Sequence, residues 1–197
     1  MKTVIGLSFL CVLLAMPLAA QDEQETLVGG GIESGGFGGV VVKITPLNDR
    51  TCAMTGAWGA WLINHHLALG GGWYNLTSAH TLQDSISMDM EYSGFTAEYI
   101  FMPESLIHYS AQLTIGGGSL DFSTVRVGSS NNNGIVDDVF FVVEPGVNAE
   151  INITRFMRFQ VGASYRFVSG INNNNFDVTN ADISGPALNF TVRFGKF

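Results

Sequence analysis

Charge is scarce in this sequence. Only 13% of its 197 residues are Asp, Glu, Lys or Arg, about half the ~25% of an ordinary soluble domain, so an ordinary solvated surface is hard to build. Basic residues are scarcer still: nine Lys and Arg against 17 Asp and Glu leave a net charge of −8. That excludes the electrostatic footprint of a nucleic-acid binder. Of two cysteines, Cys11 lies in a leader and only Cys52 follows it, which excludes an intrachain disulfide and a cysteine-rich metal site. Past residue 21 no window approaches ~18 uninterrupted apolar residues, so no transmembrane helix is encoded there. What the chain does have is 46% hydrophobic residues, 24 Gly and 14 Phe. Apolar and aromatic content of that size excludes disorder, and the length suits one domain.

Residues 1–20 read as a cleaved secretory signal. Lys2 supplies the charge, Val4 to Leu18 the apolar run, and Ala19-Ala20 the small residues before Gln21. Loss of Lys2 takes the charge from −8 to −9. Residues 21–35 then form a short acidic and Gly-rich segment (Asp22, Glu23, Glu25), and 36–197 the folded domain.

That domain alternates with period two. Val139, Phe141, Val143, Pro145, Val147, Ala149 and Ile151 interleave with Phe140, Val142, Glu144, Gly146, Asn148 and Glu150. Met157 to Phe167, Tyr109 to Ile115 and Leu188 to Phe194 repeat the pattern, which makes strands with one apolar and one polar face. Strands are expected near 36–45, 51–62, 67–76, 88–101, 108–120, 138–151, 156–169 and 184–197, with a phase change at Ser93-Gly94 read as a bulge. Connections alternate between short (64–66, 102–107, 152–155) and long polar ones (77–87, 121–137, 170–183). Only the first long-side connection, Pro46 to Arg50, is short. Gly70, Gly116 and Gly162 recur every 46 residues, the period of a hairpin array. Short turns at one end and long loops at the other are the pattern of outer-membrane barrels.

A sandwich buries its apolar face, whereas a membrane barrel turns that face to lipid and its polar face to the lumen. Long aromatic rows, few charges and polar rows mixing Glu, Arg, Gln and Gly favour the second. The chain closes on Phe190-Thr-Val-Arg-Phe194-Gly-Lys-Phe197. An aromatic last strand with a terminal Phe resembles the assembly signal of outer-membrane β-barrels. Over residues 29–197 the pattern resembles the small eight-stranded barrels of the outer membrane protein A and X type. The resemblance implies an all-β, closed antiparallel up-and-down transmembrane barrel of about eight strands in the Gram-negative outer membrane. It implies outer-membrane lipid and the barrel insertion machinery as partners, with Phe194 and Phe197 as assembly signal, and a monomer. One departure stands out: Phe197 is odd where Phe190, Val192 and Phe194 lead with the even face. Either a bulge at Gly195 restores the phase or Phe197 lies outside the lipid band.

An eight-stranded interior is just wide enough for side chains to fill it, and ions inside must meet opposite signs. The inward face should carry Lys43, Glu98, Glu144, Glu150, Arg158, Arg166 and Arg193, with Gln112 beside them. Glu150 and Arg158 are equidistant from Thr154 across a short turn, the most specific pairing the spacing predicts. Gly70, Gly116, Gly146 and Gly162 share this parity and leave room for it. The competing reading is that these charges coat a solvated sandwich face.

Chemistry-bearing motifs are thin. His65, His66 and His108 sit at short turns that could share one rim, and His80 in a long loop; adjacent histidines without a fixed third ligand are a weak metal pattern. No Gly-x-Ser-x-Gly elbow is present. Asp121, Asp137 and Asp138, with Asp177 and Asp182, could gather Ca²⁺ but form no Asp-x-Asp-x-Asp-Gly loop. No catalytic residue, cofactor or metal is therefore assigned. Trp58, Trp61, Trp73, Tyr92, Tyr99, Phe101 and Tyr109 read as aromatic girdles, and Cys52 as buried and inert. The reading is a non-enzymatic envelope anchor with outer loops for surface or partner contact. Its alternatives are a narrow pore for ions or small solutes, a lipid-modifying enzyme, and a secreted lipocalin-like barrel.

Overall fold

The computed structural model describes residues 31, 33–47, 50–77, 80–83, 86–124, 134–172 and 178–197. The expected leader, most of the acidic segment and the Asn131–Asn133 tract lie outside the described residues. Among those described, nine strands and one helical turn follow in order: β1 (Ser34–Leu47), β2 (Arg50–Ile63), β3 (Leu67–Leu76), β4 (His80–Gln83), β5 (Ile86–Phe101), β6 (Ile107–Thr124), β7 (Gly134–Asn152), β8 (Met157–Ser169), α1 (Asn180–Ile183) and β9 (Gly185–Lys196). All pairings are antiparallel. β1 pairs with β9 and β3 with β5, so eight strands close into a barrel, and β4 adds a short strand to β5 beyond the end of β3. The eight strands expected from the alternation are all present. β5, β6 and β7 run past their expected ends at the long-loop side, and β4 and α1 were not foreseen.

The short turns follow local chemistry. Asn64 and His65 both take left-handed φ (50° and 59°), and the His66 N–H closes on the Ile63 carbonyl at 3.1 Å. Two left-handed residues match the right-handed twist of the flanking strands. The 46-residue glycine spacing also has a physical cause. A Cβ on Gly70 would collide with the Gly59 carbonyl, and one on Gly116 with the Ser93 carbonyl. Each glycine lets the wall curve where the neighbouring backbone comes closest.

Side chains alternate without interruption along β5: Met88, Met90, Tyr92, Thr96, Glu98 and Ile100 are buried inside, while Asp89, Glu91, Ser93, Phe95, Tyr99 and Phe101 are outside. The register through Ser93 and Gly94 is continuous on both sides, so there is no bulge. The phase change seen in the sequence is a reversal of polarity at constant geometry. Toward the short turns, β5 and β6 point Phe95, Tyr99, Phe101, Tyr109, Leu113 and Ile115 outward, and Thr96, Glu98, His108, Ser110 and Thr114 inward. Toward the long loops they point Asp89, Glu91 and Asp121 outward, and Met88, Met90, Leu120 and Phe122 inward. The first pattern is that of a wall in hydrocarbon and the second that of a protein in water.

Candidate functional site: the packed lumen

The lumen is filled in three levels, beginning at the short-turn end. Here Glu150 lies 3.0 Å from Arg158 Nη1, 2.8 Å from His108 Nε2 and 2.8 Å from Arg193 Nη1. Arg193 Nη2 also reaches Glu98 at 3.0 Å, and Glu98 accepts from the Ser110 hydroxyl at 2.5 Å and from Gln160 Nε2 at 3.1 Å. Arg158 and Arg193 thus balance two glutamates with His108 wedged beside them, and all five are buried. Aromatic faces close what remains of the cationic surface: Phe197 lies 3.9 Å from the Arg158 guanidinium, and Phe37 and Trp58 lie 4.8 and 4.6 Å from that of Arg193. Such stacking favours a desolvated guanidinium.

The second level is built on Glu144. It accepts from Lys43 Nζ at 2.6 Å, from Tyr92 OH at 2.5 Å and from Ser164 Oγ at 2.6 Å, while Lys43 Nζ sits 3.8 Å over the Tyr74 ring. Beside this level a void of about 20 Å³ is lined by Lys43, Glu144, Asn148, Gln160 and Asn189 among others, the room of roughly one water. At the third level Arg166 joins none of these ion pairs, and its guanidinium lies 5.9 Å from the Tyr92 ring. It donates to the Ile183 carbonyl at 3.0 Å, to Thr45 Oγ1 at 3.4 Å and to Met54 Sδ at 3.4 Å. Around and above it pack Leu47, Cys52, Met88, Met90, Leu120, Phe140, Val142 and Val168, with Ile171, Val178 and Ile183 from the last long connection. The helical turn α1 is fixed by Asp182, which accepts from the Thr179 N–H and hydroxyl at 2.8 and 2.7 Å.

All seven charged residues singled out from the sequence lie inside the wall. Glu150, Arg158, Arg193 and Glu98 form one cluster and Lys43 and Glu144 another, while Arg166 joins neither. Several placements differ from expectation. Trp58 and Tyr92 point inward and belong to the lumen rather than to a girdle, whereas Trp61, Trp73, Tyr99, Phe101 and Tyr109 are exposed on the outside. His108 is not a rim residue: it is fully buried, with Nδ1 on the Ser105 carbonyl and Nε2 on Glu150. His65 instead pairs with Glu33 at the surface, and His66 contacts the Ile100 carbonyl. Phe194 is exposed on the outer face, while Phe197 keeps the inward parity of Arg193 and stacks on Phe37. β9 pairs with β1 in unbroken register through Gly195, so the chain neither bulges there nor turns Phe197 to lipid. His108 carried a signal that parity exposes, since it shares the even face of β6 with Ser110, Gln112 and Thr114.

Of the aspartates that could gather Ca²⁺, Asp182 sits in the first turn of α1 and accepts from the capping Thr179, and Asp138 accepts from the Asn172 N–H. Asp177 lies outside the described residues. Among the described residues no group of three His, Cys, Asp or Glu side chains is placed to hold a metal ion.

No protein-family model matches the chain, and no curated protein matches it. Solved structures do. Neisserial surface protein A superimposes with a TM-score of 0.55 at 15% identity, over 85% of this chain and 100% of that one. Ail, the attachment invasion locus protein of Yersinia pestis, solved with the heparin analogue sucrose octasulfate, gives 0.52 at 14% identity, over 82% and 97%. This chain has the fold of the eight-stranded outer-membrane barrels. The likeness lies in architecture, since identities this low carry no residue correspondence.

Proposed function

We propose that the protein is an integral outer-membrane barrel of non-enzymatic, anchoring type, held in lipid by its outer face and closed to solute flow by its lumen. The observation that supports this reading is the filled interior: among the described residues two ion clusters are followed by an apolar plug, with a void of about 20 Å³ beside the middle cluster. A conducting path needs a continuous wet channel, which barrels reach at about twice this strand number. The outer face suits hydrocarbon, with Val139, Val147, Phe95 and Tyr109 each more than half exposed. A lipocalin-like particle in water would have to hide such a belt. Buried His108 is a poor general base, because both its ring nitrogens are engaged, one by a carboxylate and one by a backbone carbonyl.

The outer connections are where partner contact belongs. In sequence, 48–49, 77–85, 125–133 and 170–184 hold four aspartates (Asp49, Asp84, Asp177, Asp182) and one basic residue, Arg126. That balance suits neutral or cationic partners and disfavours sulfated glycans of the kind bound in the Ail structure. The deciding experiment is single-channel recording of purified protein in planar bilayers. A silent membrane at stable incorporation is expected, and a steady, open, ion-selective current overturns the anchor reading.

A further inference from the structure

The three strand prolines share one row of the outer face, Pro46 next to Pro186 and Pro145 beyond Tyr165. The β1–β9 ladder ends at Ile44↔Leu188, and continuing that register by two residues sets Pro46 opposite Pro186. Both prolines remain paired on their other sides, Pro46 with Thr51 of β2 and Pro186 with Tyr165 of β8. Each therefore presents its missing N–H to the seam between β1 and β9, where a ladder cannot form. On the far side of Tyr165 the β7–β8 ladder skips Glu144 and Pro145 against Arg166 and Tyr165, while Pro145 stays paired with Leu113 of β6.

The β1–β9 gap does not leave the Pro186 carbonyl bare: the Thr45 hydroxyl donates to it at 2.8 Å from the lumen side. A wall in lipid tolerates irregular backbone only when its polar groups are satisfied in this way. Outside the gap lies a groove of about 290 Å³, walled by Ile44, Pro46, Ala163, Pro186 and Leu188. Ile44 and Leu188 are also members of the outward apolar belt, so the groove is continuous with the hydrocarbon-facing surface, and what surrounds it is acyl chain.

We propose that this groove is a lipid site, in which one phospholipid lays an acyl chain along the β1–β9 seam and is held more tightly than the lipids around the rest of the wall. A concave apolar slot contacts a chain on several sides, whereas the convex barrel surface touches it on one. The proposal rests on the outer-membrane reading above.

The test is native mass spectrometry of protein extracted in mild detergent from vesicles of phosphatidylethanolamine and phosphatidylglycerol. A species carrying a single phospholipid is expected for the wild type, and for Ala97→Trp, which makes the alanine-to-tryptophan change on β5, away from the β1–β9 seam. That species should be lost in Ala163→Trp, which fills the groove from β8, and in Leu188→Trp, which fills it from the neighbouring β9 and decides alone if Ala163→Trp does not fold. Wild type without lipid, bound detergent in its place, or lipid kept in the folded groove variants overturns the site. Release of wild type from the vesicles by alkaline carbonate is a separate outcome, and it overturns the outer-membrane reading instead.

Discussion

The two ends of the barrel solve the same packing problem with opposite chemistry. Toward the short turns the wall is apolar outside and ionic inside, and the interior is held by Glu150, Glu98, Arg158, Arg193 and His108. Toward the long loops β5 and β6 are acidic outside, and the interior is filled by Leu47, Met88, Met90, Leu120 and Phe140. Backbone geometry is continuous between the two, as the unbroken β5 register shows. The difference teaches that the surroundings choose the filling. Where hydrocarbon takes the apolar residues, the polar face is left to pack on itself; where water takes the polar ones, an ordinary core forms. The first arrangement is brittle to loss of a partner, because an unmatched buried ion is dearer than a lost methylene.

The comparison can be tested by perturbing one end at a time and measuring urea unfolding in detergent micelles or vesicles. The largest effect is expected for Glu150→Ala, which leaves Arg158 and His108 without their carboxylate and Arg193 with Glu98 alone. A loss of about 3–5 kcal/mol follows from breaking a buried ion cluster, and a loss below that of an apolar truncation would break the contrast. Next comes Leu120→Ala in the apolar end, where Leu120 is fully buried; a loss of about 2–4 kcal/mol is expected from transfer plus cavity terms. Phe197→Ala should cost less, about 1 kcal/mol, by uncovering one face of the Arg158 guanidinium. The smallest change is expected for Arg166→Met, about 1 kcal/mol or less in either direction, because removing the charge also removes its desolvation. Arg166 meets a carbonyl, a hydroxyl and a thioether rather than a carboxylate. A loss as large as that of Glu150→Ala would show that the apolar end depends on Arg166 as the other end depends on its pairs.

The legible part of this structure is what period two controls. Which of Lys43, Glu144, Glu150, Arg158, Arg166 and Arg193 share a face follows from parity along each strand, and strand existence follows from the same signal. Four things did not follow. A polarity reversal looks like a geometric slip when only residue types are visible, which is why Ser93-Gly94 read as a bulge. Trp58 and Tyr92 read as interface aromatics because nothing local separates a ring that packs over Arg193 or bonds to Glu144 from one that meets lipid. Their even parity, shared with Met54 on β2 and Glu98 on β5, was the available clue. Phe197 departs from the parity of a lipid-facing end because its local gain comes from covering Arg158. The plug drawn from Ile171, Val178 and Ile183 depends on long-range folding of a connection, and no periodic pattern announces it.

The reversal within β5 has one more consequence. A strand that changes sides chemically between Ser93 and Phe95 carries its own waterline, so the depth at which the molecule floats is written into a few of its side chains. Displacing that crossover by two residues would raise or sink the whole cylinder along the strand by about 7 Å, and with it the height at which everything above the surface is displayed.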